Sequence, residues 1–311
     1  MGNNIALVFP GQGSQVVGMG RDLAQTYASA RETFAEADDC LGMSLSRLCF
    51  EGPEDELNDT FNTQPAIFTT SVAALRALRE AGYSPEPGFV AGHSLGEYSA
   101  LVAAGALAFA DGLRLVRERG RLMRLAGERN PGGMAAVLKL EDAVVEDICQ
   151  RASEEPHNIV RVANYNSPGQ IVISGHREAL ERAIQLAEAA GARRVTRLAV
   201  SIAAHSPLMA TVVDEYRQAV TATPIQPPAI PVVANVTARP LPDVDAIRRE
   251  MVDQLTSSVR WVESVEYMAA QGVTRCIEVG PKEVLTGLIP RISKGVQAVA
   301  CGSVAGIQAL L

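Results

Sequence analysis

The sequence has few of the features that mark secreted, metal-binding or nucleic-acid-binding proteins. Its five cysteines include no Cys-x-x-Cys pair and no cluster with histidine, so reduced thiols are expected rather than disulfides or a metal site. The formal net charge of −7 leaves no basic excess, which argues against a nucleic-acid partner. No Gly-Lys pair occurs, so a Walker A phosphate-binding loop is excluded.

Long hydrophobic runs are also missing. The longest, ALVAAGALAFA at residues 100–110, is too short to span a bilayer and predicts a buried helix. The start, MGNNIALVFPGQG, has no basic segment before a long apolar stretch, so no secretory signal peptide is expected. The 311 residues are 47% hydrophobic and 20% charged, which is typical of a globular protein with an ample core. We therefore expect a cytoplasmic protein without a membrane partner.

Strand-like and helical stretches alternate in both end portions of the chain, which favours a mainly parallel sheet with helices on both faces. The N-terminal portion contains a predicted strand NIALVFP, two helical stretches before residue 62, a helix near 66–81 and a strand GFVAG. The C-terminal portion adds the strand-like segments AIPVVANV, TRCIEVG and VQAVAC.

The middle of the chain follows a different order. Four segments are predicted as strands (GMAAVLKL, NIVRVANYN, GQIVISG and ARRVTRLAV) and two as helices (EDAVVEDICQRASEE and REALERAIQLAEAAG). The resulting β-α-β-β-α-β order is typical of a ferredoxin-like unit. We interpret 127–198 as a small domain inserted into a discontinuous larger one, 1–126 and 199–311, with a ligand expected in the cleft between them.

The segment GHSLG, residues 92–96, fits the Gly-x-Ser-x-Gly nucleophile elbow, with a predicted strand before it and a predicted helix after it. A sharp turn between small residues lifts the Ser94 hydroxyl to a helix N-terminus, where amide groups and the helix dipole favour a developing negative charge. A helix-capping serine is the plainer alternative. The strand–turn–helix context favours Ser94 as a nucleophile.

A serine at neutral pH needs a base, and the chain has four histidines. His93 adjoins Ser94 and is expected to point away from it and to pack within the elbow. His157 and His176 fall at polar turns of the middle segment. His205, in AVSIAAHSPLM, follows a strand-like run and lies downstream of the serine, as in the chain order of α/β-hydrolases. His205 is therefore the favoured base.

The helical segment DGLRLVRERGRLMRLAGE places one arginine on its apolar face. At about 100° per residue, Arg119 falls within a stripe whose other members are Leu115, Val116, Leu122, Met123 and Ala126. A guanidinium on an apolar face is costly unless an anion meets it. Two explanations remain open: a structural salt bridge to an Asp or Glu of the fold, or a clamp for a carboxylate on the substrate.

The loop FPGQGSQ, residues 9–15, follows the first predicted strand. It lacks the third glycine of a dinucleotide fingerprint, because residue 16 is Val. Loops at the carboxyl ends of parallel strands line the active crevice of an open sheet. The loop is therefore expected to bring Gln12 to Ser94, where an amide N–H would stabilise an oxyanion. A tight glycine-rich turn is the alternative.

Taken together, these segments resemble the malonyl-CoA:acyl-carrier-protein transacylase family, which includes acyltransferase domains of polyketide synthases. The resemblance covers essentially the whole chain. It rests on the ordered motifs FPGQGSQ, TQPAIFTTSVA, GHSLGEYSALVAAGAL, RERGRLM, NYNSPGQIVISG, AAHSPLM, SVEYMAAQGV and EVGP with VLTGL after it. It implies an α/β-hydrolase-like large domain with a ferredoxin-like insert, in agreement with the organisation above.

The resemblance also implies roles for single residues. Ser94 matches the acylated serine and His205 its general base. Arg119 matches the arginine that pairs with the malonyl carboxylate, which favours the clamp over the salt bridge.

Three further positions complete the implied site. Gln12 and the backbone N–H of Leu95 match the oxyanion hole. Gln254, in DQLTSSVRW, matches the residue whose backbone carbonyl orients the histidine. A neutral carbonyl then replaces the usual triad Asp, so the resemblance implies a Ser–His dyad.

The implied reaction moves a malonyl group from malonyl-CoA, through a seryl ester, to the phosphopantetheine thiol of an acyl carrier protein in fatty-acid biosynthesis. It needs no metal or redox cofactor, because only acyl bonds change, and family analogy favours a monomer. Three alternatives remain: a polyketide acyltransferase with methylmalonyl or another unit, a serine thioesterase, and a non-enzymatic carrier-binding relative.

The chain departs from the family pattern at three places. Ala204 precedes the histidine where Ser or Phe is more frequent, at a position near the acyl pocket, so it bears on the strictness of malonyl selectivity. Ser257 and Ser258 stand where Asn-Pro is frequent, and Lys282 replaces a common Gly.

Overall fold

The computed structural model describes residues 4–83, 86–200 and 202–311, which form two β-sheets flanked by helices. The strands are β1 (Ile5–Phe9), β2 (Phe89–Gly92), β3 (Gly132–Leu138), β4 (Val160–Ser167), β5 (Gln170–His176), β6 (Arg194–Arg197), β7 (Val232–Val233), β8 (Arg275–Glu278) and β9 (Gln297–Ala300). The α-helices are α1 (Arg21–Thr26), α2 (Ala28–Leu41), α3 (Leu45–Glu51), α4 (Glu54–Asn58), α5 (Thr60–Glu80), α6 (Gly96–Ala103), α7 (Phe109–Arg129), α8 (Asp142–Ala152), α9 (Arg177–Ala189), α10 (Val213–Ala222), α11 (Val244–Asp253), α12 (Trp261–Ala270), α13 (Val284–Ile292) and α14 (Val304–Gln308), and a 3-10 helix at Pro207–Val212 precedes α10. In the described ranges, no helix combines the length and the apolar character needed to cross a membrane.

The larger sheet is parallel, with the strand order β7-β2-β1-β8-β9. Successive side chains of a strand point to opposite faces. In the central strand β1, Leu7 and Phe9 enter one hydrophobic core, while Ala6 and Val8 enter a second. Helices α5, α6 and α7 contribute to the first core, and α12 and α13 to the second. The sheet is therefore covered on both faces, and the loops after β1 and β2 meet at its carboxyl edge.

The smaller sheet is antiparallel, with the strand order β4-β5-β3-β6. Its elements follow one another as β3-α8-β4-β5-α9-β6, the order that the sequence pattern predicts. Helices α8 and α9 cover one face and enclose a separate core. The opposite face contributes Met134, Ala163 and Val172 to the core of the parallel sheet. The antiparallel sheet therefore packs against the carboxyl edge region through a shared apolar layer.

The N-terminal helices differ from the prediction. Instead of two helical stretches before residue 62, the described residues form four short helices, α1 to α4, ahead of α5. Helix α5 begins at Thr60 rather than near residue 66, because Asp59 caps it by accepting a hydrogen bond from the Phe61 N–H at 2.9 Å. Pro65 lies inside α5, where it removes one N–H donor. Burial of the helix on nearly all sides stabilises it in spite of that loss.

The predicted strand at 229–236 is also shorter than expected. Only Val232 and Val233 of this segment pair with β2 in the described structure. Beyond them the chain turns back, and the Ala234 N–H donates to the Arg239 carbonyl oxygen at 3.0 Å. This turn leaves Asn235 beside the carboxyl end of β2, where it contacts the Gly92 carbonyl oxygen.

Candidate active site

Ser94 lies at a sharp turn between β2 and α6. Its φ of 51° is in the left-handed region, which a non-glycine residue adopts only when the surrounding structure holds it there. A Cβ on Gly92 would collide with the Gly96 backbone, and one on Gly96 would collide with the Phe9 carbonyl oxygen. Residues without side chains are therefore required on both sides of the turn. The turn has the strand–turn–helix form that the GHSLG pattern predicts.

Asn235 holds this turn from the neighbouring loop. Its Oδ1 accepts a hydrogen bond from the Ser94 N–H at 2.6 Å, and its Nδ2 donates to the Gly92 carbonyl oxygen at 2.7 Å. An unmade hydrogen bond at such a buried position costs about 1–3 kcal/mol. Asn235 is not among the predicted site residues, although it lies near the carboxyl end of the predicted strand AIPVVANV, at the same sheet edge as Ser94.

His205 contacts the Ser94 hydroxyl. Its Nε2 lies 2.8 Å from Ser94 Oγ, and its Nδ1 lies 2.8 Å from the backbone carbonyl oxygen of Gln254. A carbonyl oxygen only accepts hydrogen bonds, so Nδ1 carries the ring proton and Nε2 offers its lone pair to the hydroxyl. This arrangement allows the imidazole to take the hydroxyl proton.

Burial keeps the imidazole of His205 neutral. The residue is 4% exposed. Desolvation by burial, followed by the positive charge of Arg119, lowers the pKa of His205 to about 3. Because the ring takes up a proton only near and below that pH, it is an unprotonated base under neutral conditions.

Arg119 reaches the same hydroxyl from helix α7. Its Nη2 lies 3.2 Å from Ser94 Oγ and donates to Gln254 Oε1 at 2.9 Å. Its Nη1 donates to Gln64 Oε1 at 2.9 Å. The residue is 1% exposed, and within the described residues its nitrogens bond only neutral oxygens while Nε has no partner. Of the two explanations that the sequence leaves open, the structural salt bridge thus has no counterpart in this part of the chain.

Gln254 connects these groups. Besides its carbonyl contact with His205, its side-chain Nε2 donates to the Ser94 carbonyl oxygen at 3.1 Å, and its Oε1 accepts from Arg119. The residue is completely buried. The sequence predicts a role only for its backbone carbonyl, so the side-chain contacts are an addition.

Two backbone donors flank the serine. Leu95 follows Ser94 at the start of α6, and its N–H has no acceptor among the described residues. Gln12 lies in the loop after β1 and lines the same cavity as Ser94, and its backbone N–H is likewise unpaired within that part of the chain. The Gln12 side-chain amide uses one of its two N–H donors on Thr60 Oγ1 at 3.1 Å. Unpaired N–H groups beside a nucleophile suit a developing oxyanion.

A cavity of about 350 Å³ joins these groups. Polar side chains line one part of it, and an apolar wall lines another: Met123, Met134, Leu198, Val200, Ile202 and Ala204. An acyl group on Ser94 would therefore extend between the Arg119 guanidinium and this apolar wall. Ala204 lines the cavity, as expected for its position beside His205.

The remaining histidines do not contact the Ser94 hydroxyl in the described structure. His93 lines the same cavity, but its Nε2 donates to Asn166 Oδ1 at 2.8 Å, and its ring lies 5.8 Å from that of Trp261. His157 is exposed in a turn, and His176 ends β5. The described ranges contain no group of three or more His, Cys, Asp or Glu side chains arranged to hold a metal ion.

The sequence matches the family model described as acyl transferase domain over residues 6–308. The chain belongs to this family. It is 47% identical over 306 residues to the malonyl CoA-acyl carrier protein transacylase of Escherichia coli (strain K12), with 98% of each chain covered. It is 43% identical over 298 residues to the protein of the same name from Bacillus subtilis (strain 168), covering 96% of this chain and 93% of the relative.

Solved structures share the fold of this acyl transferase. An acyl carrier protein S-malonyltransferase from Vibrio cholerae matches it with a TM-score of 0.95 at 45% identity, covering 99% of this chain and 100% of that one. A malonyl-transacylase in complex with its type II PKS acyl-carrier protein has a TM-score of 0.95 at 43% identity, covering 99% and 98%. The mixed α/β fold with its parallel sheet is therefore that of the family.

In this acyl transferase the predicted site residues lie together at the carboxyl edge of the parallel sheet: Gln12, Ser94, Leu95, Arg119, His205 and Gln254. Gln64 and Glu97 also belong to the network and are not among the predicted residues. Gln64 lies in α5 and Glu97 in the first turn of α6, and both side chains are buried. A buried polar residue needs a partner, and that need was the signal available for them.

Proposed function

We propose that this acyl transferase moves a malonyl group from malonyl-CoA, through an ester on Ser94, to the phosphopantetheine thiol of an acyl carrier protein in fatty-acid biosynthesis. The observation that carries the proposal is the buried Arg119 guanidinium, 3.2 Å from the Ser94 hydroxyl and without a carboxylate partner in the described residues. A buried cation at the point of acylation calls for an anion, and the free carboxylate of a malonyl group supplies it. The names of the relatives, malonyl CoA-acyl carrier protein transacylase, support the same two substrates.

The first half-reaction acylates the serine. His205 Nε2 takes the hydroxyl proton as Ser94 Oγ attacks the thioester carbonyl carbon of malonyl-CoA. The backbone N–H groups of Gln12 and Leu95 stabilise the oxyanion of the tetrahedral intermediate, where one such donor contributes about 10²–10³-fold in rate. The C–S bond then breaks, and the imidazolium returns its proton to the CoA thiolate.

The second half-reaction repeats these steps with a different thiol. The phosphopantetheine thiol of the carrier gives its proton to His205 and attacks the ester carbonyl on Ser94, which releases the serine and leaves a malonyl thioester on the carrier. The Gln254 carbonyl keeps the imidazole in the required tautomer, and Arg119 holds the malonyl carboxylate in both halves. Only acyl bonds form and break, so the proposed reaction needs no metal or redox cofactor.

We further propose that the parallel sheet with its helices is an α/β-hydrolase-like catalytic domain, residues 1–126 and 199–311, and that 127–198 is a ferredoxin-like insert. The separate core between the antiparallel sheet and helices α8 and α9 supports this division. The cavity supports it too, because Met134 and Leu198 from the insert region face Ser94 across it. We also propose that the protein acts as a monomer, since the site needs no residue from a second copy to be complete.

Intact-mass spectrometry tests the proposed function directly. After mixing with malonyl-CoA, acetyl-CoA and methylmalonyl-CoA in separate reactions, the protein should gain the mass of one malonyl group and little of the other two. Adding a phosphopantetheinylated acyl carrier protein should move that mass to the carrier. Preferential labelling by methylmalonyl-CoA would favour the polyketide alternative. Release of CoA without transfer to the carrier would favour a thioesterase, whose reaction does not require the buried guanidinium.

The pKa of His205 sets a pH dependence for serine acylation. Since the pKa lies at about 3, the base stays unprotonated and the acylation rate with acetyl-CoA should remain constant from about pH 8 down to about pH 5. Arg119→Ala removes a positive charge that lowers this pKa, so the acidic decline should begin at a higher pH in that variant. Single-turnover acylation rates across the pH range measure both effects. Arg117→Ala, a change on the same helix, is the control, and an identical shift in it would contradict the electrostatic explanation.

A further inference from the structure

Glu97 is a buried carboxyl next to the acylation site that the proposed mechanism does not use. It lies in the first turn of α6 and is 1% exposed. Its Oε1 accepts hydrogen bonds from the Asn235 backbone N–H at 2.9 Å and from Asn235 Nδ2 at 3.2 Å. Its Oε2 accepts from Gln254 Nε2. Both of its oxygens are therefore bound by residues that hold Ser94, His205 and Arg119.

The contact with Glu97 decides which way the Gln254 amide faces. A carboxamide has a donor end and an acceptor end. With Nε2 held by Glu97, Oε1 faces Arg119 and accepts from its Nη2 at 2.9 Å. The flipped amide would place its NH₂ group against the guanidinium donors and its oxygen against the carboxylate. The Glu97 carboxylate thus fixes the acceptor that Arg119 needs.

The carboxyl pair of Glu97 and Glu250 also offsets the charge of Arg119 without touching it. Glu97 and Arg119 interact electrostatically, yet Gln254 stands between them and the guanidinium forms no ion pair within the described residues. Burial and the neighbouring Glu250 raise the pKa of Glu97, and burial raises the pKa of Glu250 to about 7. Such a pair holds one proton between its members near neutral pH. The remaining negative charge therefore belongs to the pair, which lies behind Gln254 as seen from Arg119.

We propose that Glu97 is a positioning residue for acyl selectivity: through Gln254 it aims Arg119 at the acyl group, and together with Glu250 it offsets the charge of the guanidinium, so that an acyl group bearing a carboxylate is preferred over a neutral one. The inference rests on the proposed malonyl transfer. A direct ion pair would occupy the guanidinium donors, whereas the relay through a neutral amide leaves Nε and the side facing Ser94 available to the substrate.

Glu97→Gln tests this role with little change of shape. The introduced amide must turn its NH₂ group toward Asn235 or Gln254, both of which present donors, and the carboxyl pair with Glu250 is broken. The readout is the ratio of single-turnover acylation rates with malonyl-CoA and acetyl-CoA, followed by intact mass. We expect this ratio to fall by about tenfold or more, the effect of one charge-assisted hydrogen bond, with a much smaller change for acetyl-CoA.

Glu278→Gln is the matched control. Glu278 is a completely buried carboxyl that accepts hydrogen bonds from the backbone N–H groups of Leu285 and Thr286 at the start of α13, and none of its hydrogen bonds in the described structure involves a site residue. It should lower the melting temperature and leave the malonyl-to-acetyl ratio unchanged. A general loss of packing would affect both variants alike, so a fall of the ratio confined to Glu97→Gln separates positioning from a merely structural role.

An unchanged ratio in folded Glu97→Gln protein, or an equal loss for both thioesters, overturns the proposal. If that variant does not fold, Gln254→Met removes the acceptor for Arg119 while keeping the backbone carbonyl on His205, and it must lower the ratio in the same way. An unchanged malonyl-to-acetyl ratio in Gln254→Met would also overturn the proposal. Failure of the unaltered protein to take up malonyl at all is a different result, since it removes the proposed function and this inference with it.

Discussion

Replacing Ser94 with alanine should abolish the acyl-enzyme formed with malonyl-CoA. Without Oγ no ester can form, and transfer to the carrier should fall by about 10⁴-fold or more, as when the nucleophile of a comparable hydrolase is removed. The variant keeps the backbone hydrogen bond from residue 94 to Asn235, so the elbow should persist. Intact-mass spectrometry measures the ester, and a coupled assay of released CoA measures turnover.

Ser99→Ala provides the matched control for this experiment. Ser99 lies on α6, the helix that follows the turn at Ser94, is completely buried, and its hydroxyl has no hydrogen-bond partner among the described residues. Its loss should leave acylation near the level of the unaltered protein. If the Ser94 variant still acquired a malonyl group, peptide mapping would locate a different nucleophile and the proposed mechanism would be wrong.

Replacing Arg119 with alanine should reduce malonyl acylation by about 10²–10³-fold, because charge-assisted hydrogen bonds to the substrate carboxylate are lost. The effect on acetyl-CoA should be much smaller, so the preference between the two thioesters should nearly disappear. Arg119→Lys keeps the charge but lacks the planar fork, and we expect an intermediate rate. The ratio of kcat/KM for the two thioesters is the measurement.

Arg117→Ala controls for the loss of an arginine from α7. The Arg117 guanidinium lies 3.8 Å from the centre of the Phe61 ring, and the residue is only partly buried, so its loss should affect stability rather than selectivity. A malonyl preference that survives in folded Arg119→Ala protein would contradict the clamp. The melting temperature of each variant distinguishes loss of binding from loss of folding.

The burial of Arg119 could be predicted from the sequence, but its partners could not. Helical periodicity depends on neighbouring residues alone, and the predicted apolar stripe around Arg119 is buried in the structure. The amides that meet the guanidinium come from Gln64 and Gln254, which are 55 and 135 positions away in the chain. No local pattern indicates that a buried cation is met by neutral oxygens rather than by a carboxylate, so the residue pattern left salt bridge and clamp open and only the family resemblance favoured the clamp.

The difference between neighbouring residues and partners distant in the chain also explains which residues of the elbow the sequence predicts. The turn at Ser94 is encoded by its own neighbours, since Gly92 and Gly96 allow the close approach of the backbone. The side chain of Asn235, which pins the turn, lies 141 positions from Ser94. The sequence predicts the start of helix α5 near residue 66 rather than at Thr60, because Pro65 is typical of a helix boundary. In the structure, tertiary packing outweighs this local signal.

Lys282 shows how the backbone clarifies a departure from the family pattern. Its φ of 59° lies in the left-handed region, where glycine carries no penalty. The glycine that is common at this position in the family is therefore explained by backbone conformation. Lysine adopts this conformation at an energetic cost. Its Nζ donates to the carbonyl oxygen of Gly13, in the loop that contains Gln12, at 3.3 Å.

The cavity around Ser94 is built from two sources. The groups that handle protons and charge belong to the parallel-sheet side, and the apolar wall combines Met123 of α7 with Met134 of β3, Leu198 and Val200. Part of the acyl pocket is thus encoded in a stretch of the gene that supplies none of the proton-handling groups. Mutant libraries confined to Met134, Leu198 and Val200 should change which acyl unit is transferred and leave the reaction cycle intact, a separation that an enzyme engineer can exploit directly.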